Sequence, residues 1–426
     1  MLQVTYIRNN REKTIEGLKK RNFTEDSLSI IDEIIALDDD RKRLQAESDQ
    51  VASQLNIISS KVGELMKQGQ KEEANAIKEQ VASLKATSKT LSESLDATKN
   101  KLDDLLITLP NIPHESVPFG KSADDNLVYK LGSQEAKPMF DGALAHWDIA
   151  KKYGLFDMEL GVKLAGSGFI LYRGKGARLQ RALINFFLDE AHKAGFEEIM
   201  PPLMANEASA RATGQLPDKE AQMYYVERDD FYLIPTAEVP VTNILRDVIL
   251  SENELPIKMT AYTPCFRREA GSYGAHVKGL NRVHQFDKVE IVQIEHPDKS
   301  YETLHKMLDH VEQLLIKLEL PYRILRLCGG DMGFASAMTY DFEVFSAAQQ
   351  RWLEVSSTSN FETFQSNRLK CRFKDSNNQT RLVHTLNGSA LALPRIVAAL
   401  LENHQTEEGI IIPAALRPYT GFDILN

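Results

Sequence analysis

The sequence CFRREAGSYGAHVKGLNRVHQFDKVE, residues 265–290, joins two β-like segments through a loop that contains several glycines. The segments, at 258–269 and 282–294, are rich in β-branched and aromatic residues and lie close together along the chain. Such spacing favours an antiparallel hairpin. Surface hairpins are also often charged and rich in glycine, so a solvated hairpin and a ligand site are both consistent with this stretch.

Strand alternation assigns the polar side chains of this hairpin to faces, because neighbouring residues of a strand point to opposite sides. Arg267 and Arg268 then face opposite sides, and Glu269 returns to the side of Arg267. On the second segment, Phe286 and Glu290 share a face. A guanidinium binds phosphate or carboxylate oxygens in pairs, while an aromatic ring and a carboxylate suit a base and an amine. The hairpin could therefore bind a phosphate-bearing ligand.

Further β-like runs at 168–173, 231–236, 322–327, 339–346 and 351–357 alternate with helical patterns. The runs are too closely spaced for helical crossovers at each step, which favours an antiparallel sheet. Apolar residues spaced by three and four at 177–195 and 301–320 predict helices that pack on this sheet. The fold class expected for this part of the chain is therefore α+β.

The first hundred residues carry a heptad pattern of apolar side chains. In each of two successive segments, apolar residues occupy two positions of the heptad. This pattern predicts an antiparallel coiled-coil hairpin with a turn at Gly69. The pattern alone also fits a generic coiled coil for dimerisation. The seam residues are Leu37, Leu44, Val51, Leu55, Ile58, Val62 and Leu65 in the first arm, and Ile77, Val81, Leu84, Leu91, Leu95, Leu102 and Leu105 in the second. The predicted domains are 1–108, a proline-rich linker at 109–126, and a body at 127–426.

Composition excludes several classes of protein. The 426 residues include only three cysteines, which are far apart, so neither a disulfide framework nor a CxxC-type zinc site is expected. No run approaches the ~18 apolar residues that span a bilayer, and the N-terminus lacks the pattern of a secretory signal. A cytoplasmic protein without a membrane partner is predicted. The net charge of −9 argues mildly against a protein coated by nucleic acid, but it does not exclude a local basic face.

Nucleotide-binding and catalytic motifs built on glycine or histidine are absent. The sequence has no GxxxxGK[ST], no strand–GxGxxG–helix unit, no HExxH and no GxSxG. A phosphate site must then use side chains. Three further clusters could supply them: Glu354 with Ser356 and Ser357 at a predicted strand end, Thr236 with Glu238, and Arg395 at the start of a helix. Each alone could equally be a strand end, a turn or a helix start.

Taken together, these motifs resemble the seryl-tRNA synthetase family of the bacterial type, a class II family, along essentially the whole chain. Motif 1 resembles GFEEIMPPLM at 195–204, motif 2 is the opening stretch, and motif 3 resembles NGSALALPR at 387–395. The resemblance implies a serine–tRNA ligase that activates L-serine with ATP and transfers it to tRNA-Ser, with tRNA-Sec left open. It implies a homodimer with Pro201 at the interface, and a hairpin that grips the long variable arm of the tRNA.

The resemblance also implies roles for individual residues. The catalytic residues are implied to be Arg267, Glu269 and Arg395. The serine pocket is implied to comprise Thr236, Ala237, Glu238, Arg267, Glu290, Asn387 and Ser389. The ATP site is implied to comprise Arg267, Arg268, Glu269, Val283, Phe286, Glu354, Val355, Ser356, Ser357 and Arg395. Glu354 and Ser357 are implied to hold Mg²⁺, and no zinc is expected.

Two alternatives belong to other classes of protein. A synthetase-like enzyme that aminoacylates a carrier protein would lack the long arm, so the heptads count against it. A non-catalytic coiled-coil protein with a degenerate synthetase body would have no need to retain FRRE, TAE, EVSS and Arg395.

Overall fold

The computed structural model describes residues 1–218, 221–269 and 278–426. The chain forms two compact units, Met1–Pro110 and Asn111–Asn426. In the described part of the chain, no helix is both long and apolar enough to cross a membrane.

The first unit consists of helices, and the second mixes helices with β-strands. The α-helices are α1 Val4–Asn9, α2 Arg11–Lys20, α3 Ile30–Lys67, α4 Lys71–Thr108, α5 His146–Tyr153, α6 Met158–Ala165, α7 Gly174–Lys193, α8 Glu207–Thr213, α9 Glu238–Asn243, α10 Ser300–Lys317, α11 Thr363–Leu369, α12 Leu393–Asn403 and α13 Arg417–Thr420. The strands are β1 Leu127–Leu131, β2 Phe156–Asp157, β3 Leu171–Tyr172, β4 Glu197–Glu198, β5 Met204–Ala205, β6 Tyr225–Val226, β7 Phe231–Leu233, β8 Ile249–Ser251, β9 Ile257–Phe266, β10 Gln285–Glu295, β11 Tyr322–Arg326, β12 Met338–Ser346, β13 Arg351–Asn360, β14 Arg372–Lys374, β15 Thr380–Leu382, β16 His384–Ala392, β17 Ile410–Ile411 and β18 Ile424–Leu425.

The two long helices of the first unit, α3 and α4, each contain 38 residues and are about 57 Å long at 1.5 Å per residue. The turn between them includes Gly69 with a φ of +79°, a conformation that glycine adopts without steric cost. Every predicted seam residue is buried or half-buried, so the heptad pattern does mark the helix–helix contact.

An eight-stranded sheet organises the second unit, in the order β1-β11-β12-β13-β16-β10-β9-β4. Neighbouring strands are antiparallel except β4 and β9, which are parallel. Helices α7, α10 and α12 contribute their apolar faces to the main core, together with inward-facing residues of the sheet such as Ile291, Phe342 and Leu386. The α+β prediction is confirmed. The run at 168–173 forms only the two-residue strand β3, a shorter element than expected.

Residues 111–126, for which a linker is predicted, contribute buried side chains to the second unit. The amide of Asn111 donates to the carbonyl oxygens of Ala335 and Phe361, at 3.0 and 2.8 Å. Val117 is part of the main core. Several residues of this segment are therefore buried in the second unit.

Two bulges interrupt the regular pairing of the central strands. Opposite Phe342 and Glu343 of β12, the partners on β13 are Ser356 and Glu354, so Val355 is the extra residue. Between β10 and β16, Lys288 faces Ala392 while Glu290 faces Ser389, so β16 carries the extra residue. A bulge shifts the alternation of side chains on the strand that contains it, and both bulges lie beside candidate site residues.

Candidate active site

The hairpin of β9 and β10 pairs without interruption from Phe266 opposite Gln285 to Ile257 opposite Ile294. This regular register places Phe286, Lys288 and Glu290 on one face of β10. The guanidinium carbon of Arg267 lies 5.3 Å from the centre of the Phe286 ring, within the range of a cation–π contact. Arg267 thus meets the aromatic end of this face directly.

Glu290 lies at the centre of a buried polar cluster. Its carboxylate forms an ion pair with Lys288 at 2.5 Å, and both side chains are almost fully buried. Lys288 also donates to the hydroxyl of Thr236 at 2.8 Å, and the hydroxyls of Thr236 and Ser389 lie 3.4 and 3.5 Å from the Glu290 carboxylate. Two hydroxyls and an ammonium therefore converge on one carboxylate, which is a group suited to a small polar ligand.

A second buried carboxylate, Glu238, lies near Glu290 and Lys288. Burial and the negative charge of Glu290 raise the pKa of Glu238 to about 7, against a hydrogen bond from Gln365 at 2.6 Å that stabilises the charged form. The side-chain nitrogen of Asn387 is buried near Glu238, yet it has no hydrogen bond of normal geometry among the described residues. Unpaired buried donors are rare in proteins, so the amide of Asn387 adds a polar group to this part of the site.

Thr236 and Ala237 hold the cluster at the start of α9. The Thr236 hydroxyl accepts from the amide of Glu238 at 3.2 Å, and Ala237 is fully buried. The sequence pattern TAE therefore has a local structural role as well as a place beside Glu290.

Arg395 lies in the first turn of α12, where it joins two other segments. Its Nη1 donates to the carbonyl oxygen of Glu354 at 2.6 Å, and its Nε donates to that of Asn281 at 3.0 Å. Pro394 occupies the first turn of the helix, where its missing N–H costs no hydrogen bond. The leucines and proline of this motif thus continue β16 directly into α12.

Glu354 and Ser357 lie inside β13, so the prediction of a strand end there is wrong. Regular alternation would place residues three apart on opposite faces. The bulge at Val355 cancels this, because Glu354 and Ser357 pair with Glu343 and Asp341, which are two apart on β12. Val355 is buried as a result, and Ser356 donates to the carbonyl oxygen of Ser389 at 2.6 Å.

Asp341 adds a third oxygen-bearing side chain to this face. Burial and the neighbouring Glu354 carboxylate raise the pKa of Asp341 well above its usual range, and its Oδ1 is buried without a partner in the described part of the chain. No group of three or more His, Cys, Asp or Glu side chains in residues 1–218, 221–269 and 278–426 has the arrangement of a metal site.

The remaining predicted site residues lie outside the buried cluster around Glu290. Glu269 lies beyond β9, has a φ of +48° and pairs with Arg282, so strand alternation does not apply to it. Arg268 is exposed and Val283 is buried. Pro201 follows β4 at the edge of the sheet. The glycine-containing loop between the two hairpin segments, at 270–279, lies outside the described residues except for its last two.

Sequence reasoning missed Lys288, Gln365 and Asp341. Strand alternation could have predicted Lys288, because it lies on the same face of β10 as Phe286 and Glu290. Gln365 lies on α11, more than seventy residues from Glu290 along the chain, and no local pattern marks it. Asp341 joins Ser357 only through the register of β12 and β13.

A model of the tRNA synthetase class II core domain (G, H, P, S and T) matches residues 224–404, which contain this whole cluster. A model of the seryl-tRNA synthetase N-terminal domain matches residues 1–113. The antiparallel sheet, the β9–β10 hairpin and the first of these matches define a class II tRNA synthetase core.

Relatives and solved structures narrow this class to one family. A serine–tRNA ligase of Salinibacter ruber is 50% identical over 99% of this chain and 98% of its own length. One from Chlorobaculum parvum is 44% identical over the full length of both. The crystal structure of seryl-tRNA synthetase from Pyrococcus horikoshii complexed with ATP has a TM-score of 0.89 and 34% identity, and covers 100% of this chain and 99% of its own. The chain belongs to the seryl-tRNA synthetase family.

Proposed function

We propose that this chain activates L-serine with ATP and attaches it to tRNA-Ser. Membership of the family supports the reaction. The observation that carries the substrate assignment is one face of β10. On this face Lys288 lies between Phe286 and Glu290, and the guanidinium of Arg267 lies against the Phe286 ring. This face offers an aromatic surface, a cation and a carboxylate in a row, which matches a nucleotide joined to an amino acid.

In the first step, an oxygen of the serine carboxylate attacks the α-phosphorus of ATP, and pyrophosphate leaves. In the second step, a ribose hydroxyl at the 3′ end of the tRNA attacks the seryl carbonyl carbon, and AMP leaves. Arg267 would neutralise charge on the reacting carboxylate and α-phosphate, while Phe286 and Arg395 would hold the adenine between them. Positioning and charge neutralisation supply much of the acceleration in such reactions.

Glu354 and Ser357 would hold Mg²⁺ with the ATP phosphates. The β13 bulge supports this proposal by placing both oxygen donors on one face, with the unpartnered Asp341 oxygen beside them. Mg²⁺ usually takes only one or two protein carboxylates and completes its shell with water and phosphate. The ion would neutralise phosphate charge when bound.

The remaining partners follow from the first unit and from the edge of the sheet. The hairpin of α3 and α4 would bind tRNA, which disfavours a carrier protein as the acceptor. A homodimer would cover apolar side chains near Pro201, where Met200 is 90% exposed and Leu203 and Met204 are exposed as well. The three cysteines are free and buried, which supports a reducing compartment such as the cytoplasm.

The direct test of the function is ATP–pyrophosphate exchange with each amino acid, followed by charging of purified tRNA-Ser. We expect exchange that depends on serine, is at least about a hundredfold weaker with alanine, and leads to seryl-tRNA. Alanine would leave the pocket's buried polar groups unpaired. Exchange with another amino acid in preference to serine would contradict the proposal, as would adenylate that is passed to a carrier protein and not to tRNA.

Glu290→Gln should raise the Michaelis constant for serine about 10- to 100-fold, since one charge-assisted contact to the substrate is lost. The Michaelis constant for ATP should change less than about twofold, because the residues proposed to contact the nucleotide lie elsewhere on the hairpin. Steady-state exchange at varied serine and varied ATP separates the two constants.

Thr260→Val is a matched control for this change. The Thr260 hydroxyl is buried and donates to the backbone carbonyl of Glu290, at 2.9 Å, and not to its carboxylate. It should lower stability by about 1 kcal/mol without changing either Michaelis constant. An unchanged Michaelis constant for serine in Glu290→Gln would contradict the assignment of Glu290 to the serine pocket.

The pKa of about 7 at Glu238 predicts that serine binding depends on pH. The ionised carboxylate attracts the ammonium of serine and the protonated form does not. The carboxyl is half ionised near pH 7, nearly fully ionised at pH 8 and largely protonated at pH 6, so the Michaelis constant for serine should rise as the pH falls through 7, approaching about tenfold per pH unit below it. Glu238→Gln should have a higher constant at pH 8 and little variation between pH 6 and 8. A wild-type constant that is flat across this range would contradict a role for the Glu238 charge.

A further inference from the structure

A buried histidine outside the predicted site connects α5, α12 and the end of the motif 2 hairpin. His146 is the first residue of α5 and is completely buried. Its Nε2 lies 3.0 Å from the backbone nitrogen of Leu280, and its Nδ1 lies 2.6 Å from Oε1 of Glu402, near the end of α12. Three segments that are distant in sequence therefore meet at one imidazole ring.

The partners of the ring determine its tautomer. A backbone N–H can only donate, so Nε2 must accept from Leu280 and carries no proton. Nδ1 then carries the proton and donates to Glu402. The other Glu402 oxygen accepts from the hydroxyl of Ser346 at 2.7 Å and from the amide of Ala348 at 3.2 Å. Burial raises the pKa of Glu402, but the interaction with His146, together with the hydrogen bonds from Ser346 and Ala348, outweighs it and holds the pKa below the ordinary value.

The hairpin segment that reaches this ring is docked at several points. Gly279 has a φ of +72°, and a Cβ added there would lie 2.1 Å from Nε2 of His146. The ammonium of Lys278 lies 4.2 Å from the centre of the Trp147 ring. Leu280 itself is part of the main core. The first turn of α5 therefore holds residues 278–280 in close contact.

The same segment also supports Arg395. The carbonyl oxygen of Asn281, the residue after Leu280, accepts from Arg395 Nε at 3.0 Å. Arg395 and Glu402 both belong to α12 and are seven residues apart, so they leave the helix on nearly the same side, about two turns apart. Helix α12 therefore contacts the hairpin segment in two ways. Arg395 binds the Asn281 carbonyl directly, and Glu402 is linked to the Leu280 amide through His146.

We propose that His146 is a positioning residue for ATP, which acts by fixing the backbone at Leu280 and Asn281 against which Arg395 is aligned. Glu402 orients the imidazole, and Nε2 holds the Leu280 amide. The inference rests on the proposed function, because it assigns Arg395 to the nucleotide. His146 itself touches neither substrate.

Two substitutions separate the halves of this arrangement. In His146→Asn, the amide nitrogen replaces Nδ1 and still donates to Glu402, but nothing accepts from Leu280. In His146→Gln, the amide oxygen replaces Nε2 and still accepts from Leu280, but Oε1 of Glu402 loses its side-chain donor and keeps only the backbone N–H of residue 146, at 3.4 Å. A positioning role depends on the Leu280 contact, whereas a purely structural role depends on satisfying the buried Glu402 carboxylate.

The experiment measures serine-dependent ATP–pyrophosphate exchange at varied ATP and varied serine, well below the melting temperature of each variant. We expect His146→Asn to raise the Michaelis constant for ATP about five- to tenfold, the effect of one buried hydrogen bond, with the serine constant within twofold. His146→Gln should retain both constants within about twofold and should have the lower melting temperature of the two variants. In an Arg395→Lys background, His146→Asn should add less than about twofold, because both changes act on one contact.

A normal ATP constant in His146→Asn would overturn the inference, and so would equal increases in the two variants. Full additivity with Arg395→Lys would also overturn it. Wild-type protein without serine-dependent exchange would contradict the proposed function itself, which distinguishes that failure from a failure of the positioning role.

Discussion

Arg267→Ala should lower serine-dependent ATP–pyrophosphate exchange by about 10²–10³-fold, comparable to the removal of one oxyanion donor from an enzyme site. The guanidinium lies against Phe286 and its Nε donates to the carbonyl oxygen of Pro235 at 3.2 Å, so its position is set before any ligand binds. A cation aligned in advance stabilises developing charge without reorganisation in the transition state. The loss should therefore appear in the turnover number as well as in the Michaelis constants.

Two other arginines provide comparisons for this variant. Arg228→Ala removes an exposed guanidinium from the turn between β6 and β7 and should leave exchange unchanged. Arg268→Ala should reduce exchange by less than about tenfold, because an exposed side chain gives a screened contact to phosphate. Near-normal exchange in Arg267→Ala, or an equal loss in Arg268→Ala, would remove Arg267 from the centre of the reaction.

A chain that begins at Asn111 should form seryl-adenylate and fail to charge tRNA efficiently. The second unit has its own core and contains every candidate residue for serine and ATP. Exchange should remain within about threefold of that of the full chain, while the specificity constant for tRNA-Ser should fall by at least about 100-fold, equivalent to about 2.7 kcal/mol. Exchange and charging assays on the same preparations measure the two effects.

The salt dependence of charging gives a second measurement of the same role. Contacts to phosphates make nucleic-acid binding weaker as salt rises. The specificity constant for tRNA should therefore fall more steeply with salt in the full chain than in the shortened one. If the shortened chain charged tRNA as well as the full chain, or had the same salt dependence, the first unit would have no part in tRNA binding.

Local patterns predicted much of the fold. Heptads identified the α3–α4 hairpin because coiled-coil packing repeats every seven residues, and each seam position depends only on its own helix and the next. Alternation placed Phe286 and Glu290 on one face because β9 and β10 pair without a bulge. Where the backbone departs from regular alternation, the same reasoning does not hold: Glu269 lies beyond the strand, and alternation alone would not place Glu354 and Ser357 on one face, since they share it only through the bulge at Val355.

The sequence by itself determined the two-unit α and α+β architecture, the family, and most of the side chains proposed for the site. Only the tertiary structure decided how those side chains interact. The Lys288 contact to Thr236, the Gln365 contact to Glu238 and the link from Glu402 through His146 to Leu280 join segments up to about 250 residues apart. The physical reason is that burial and charge pairing depend on distances in space, which strand register and helix packing set, and no local periodicity encodes those distances.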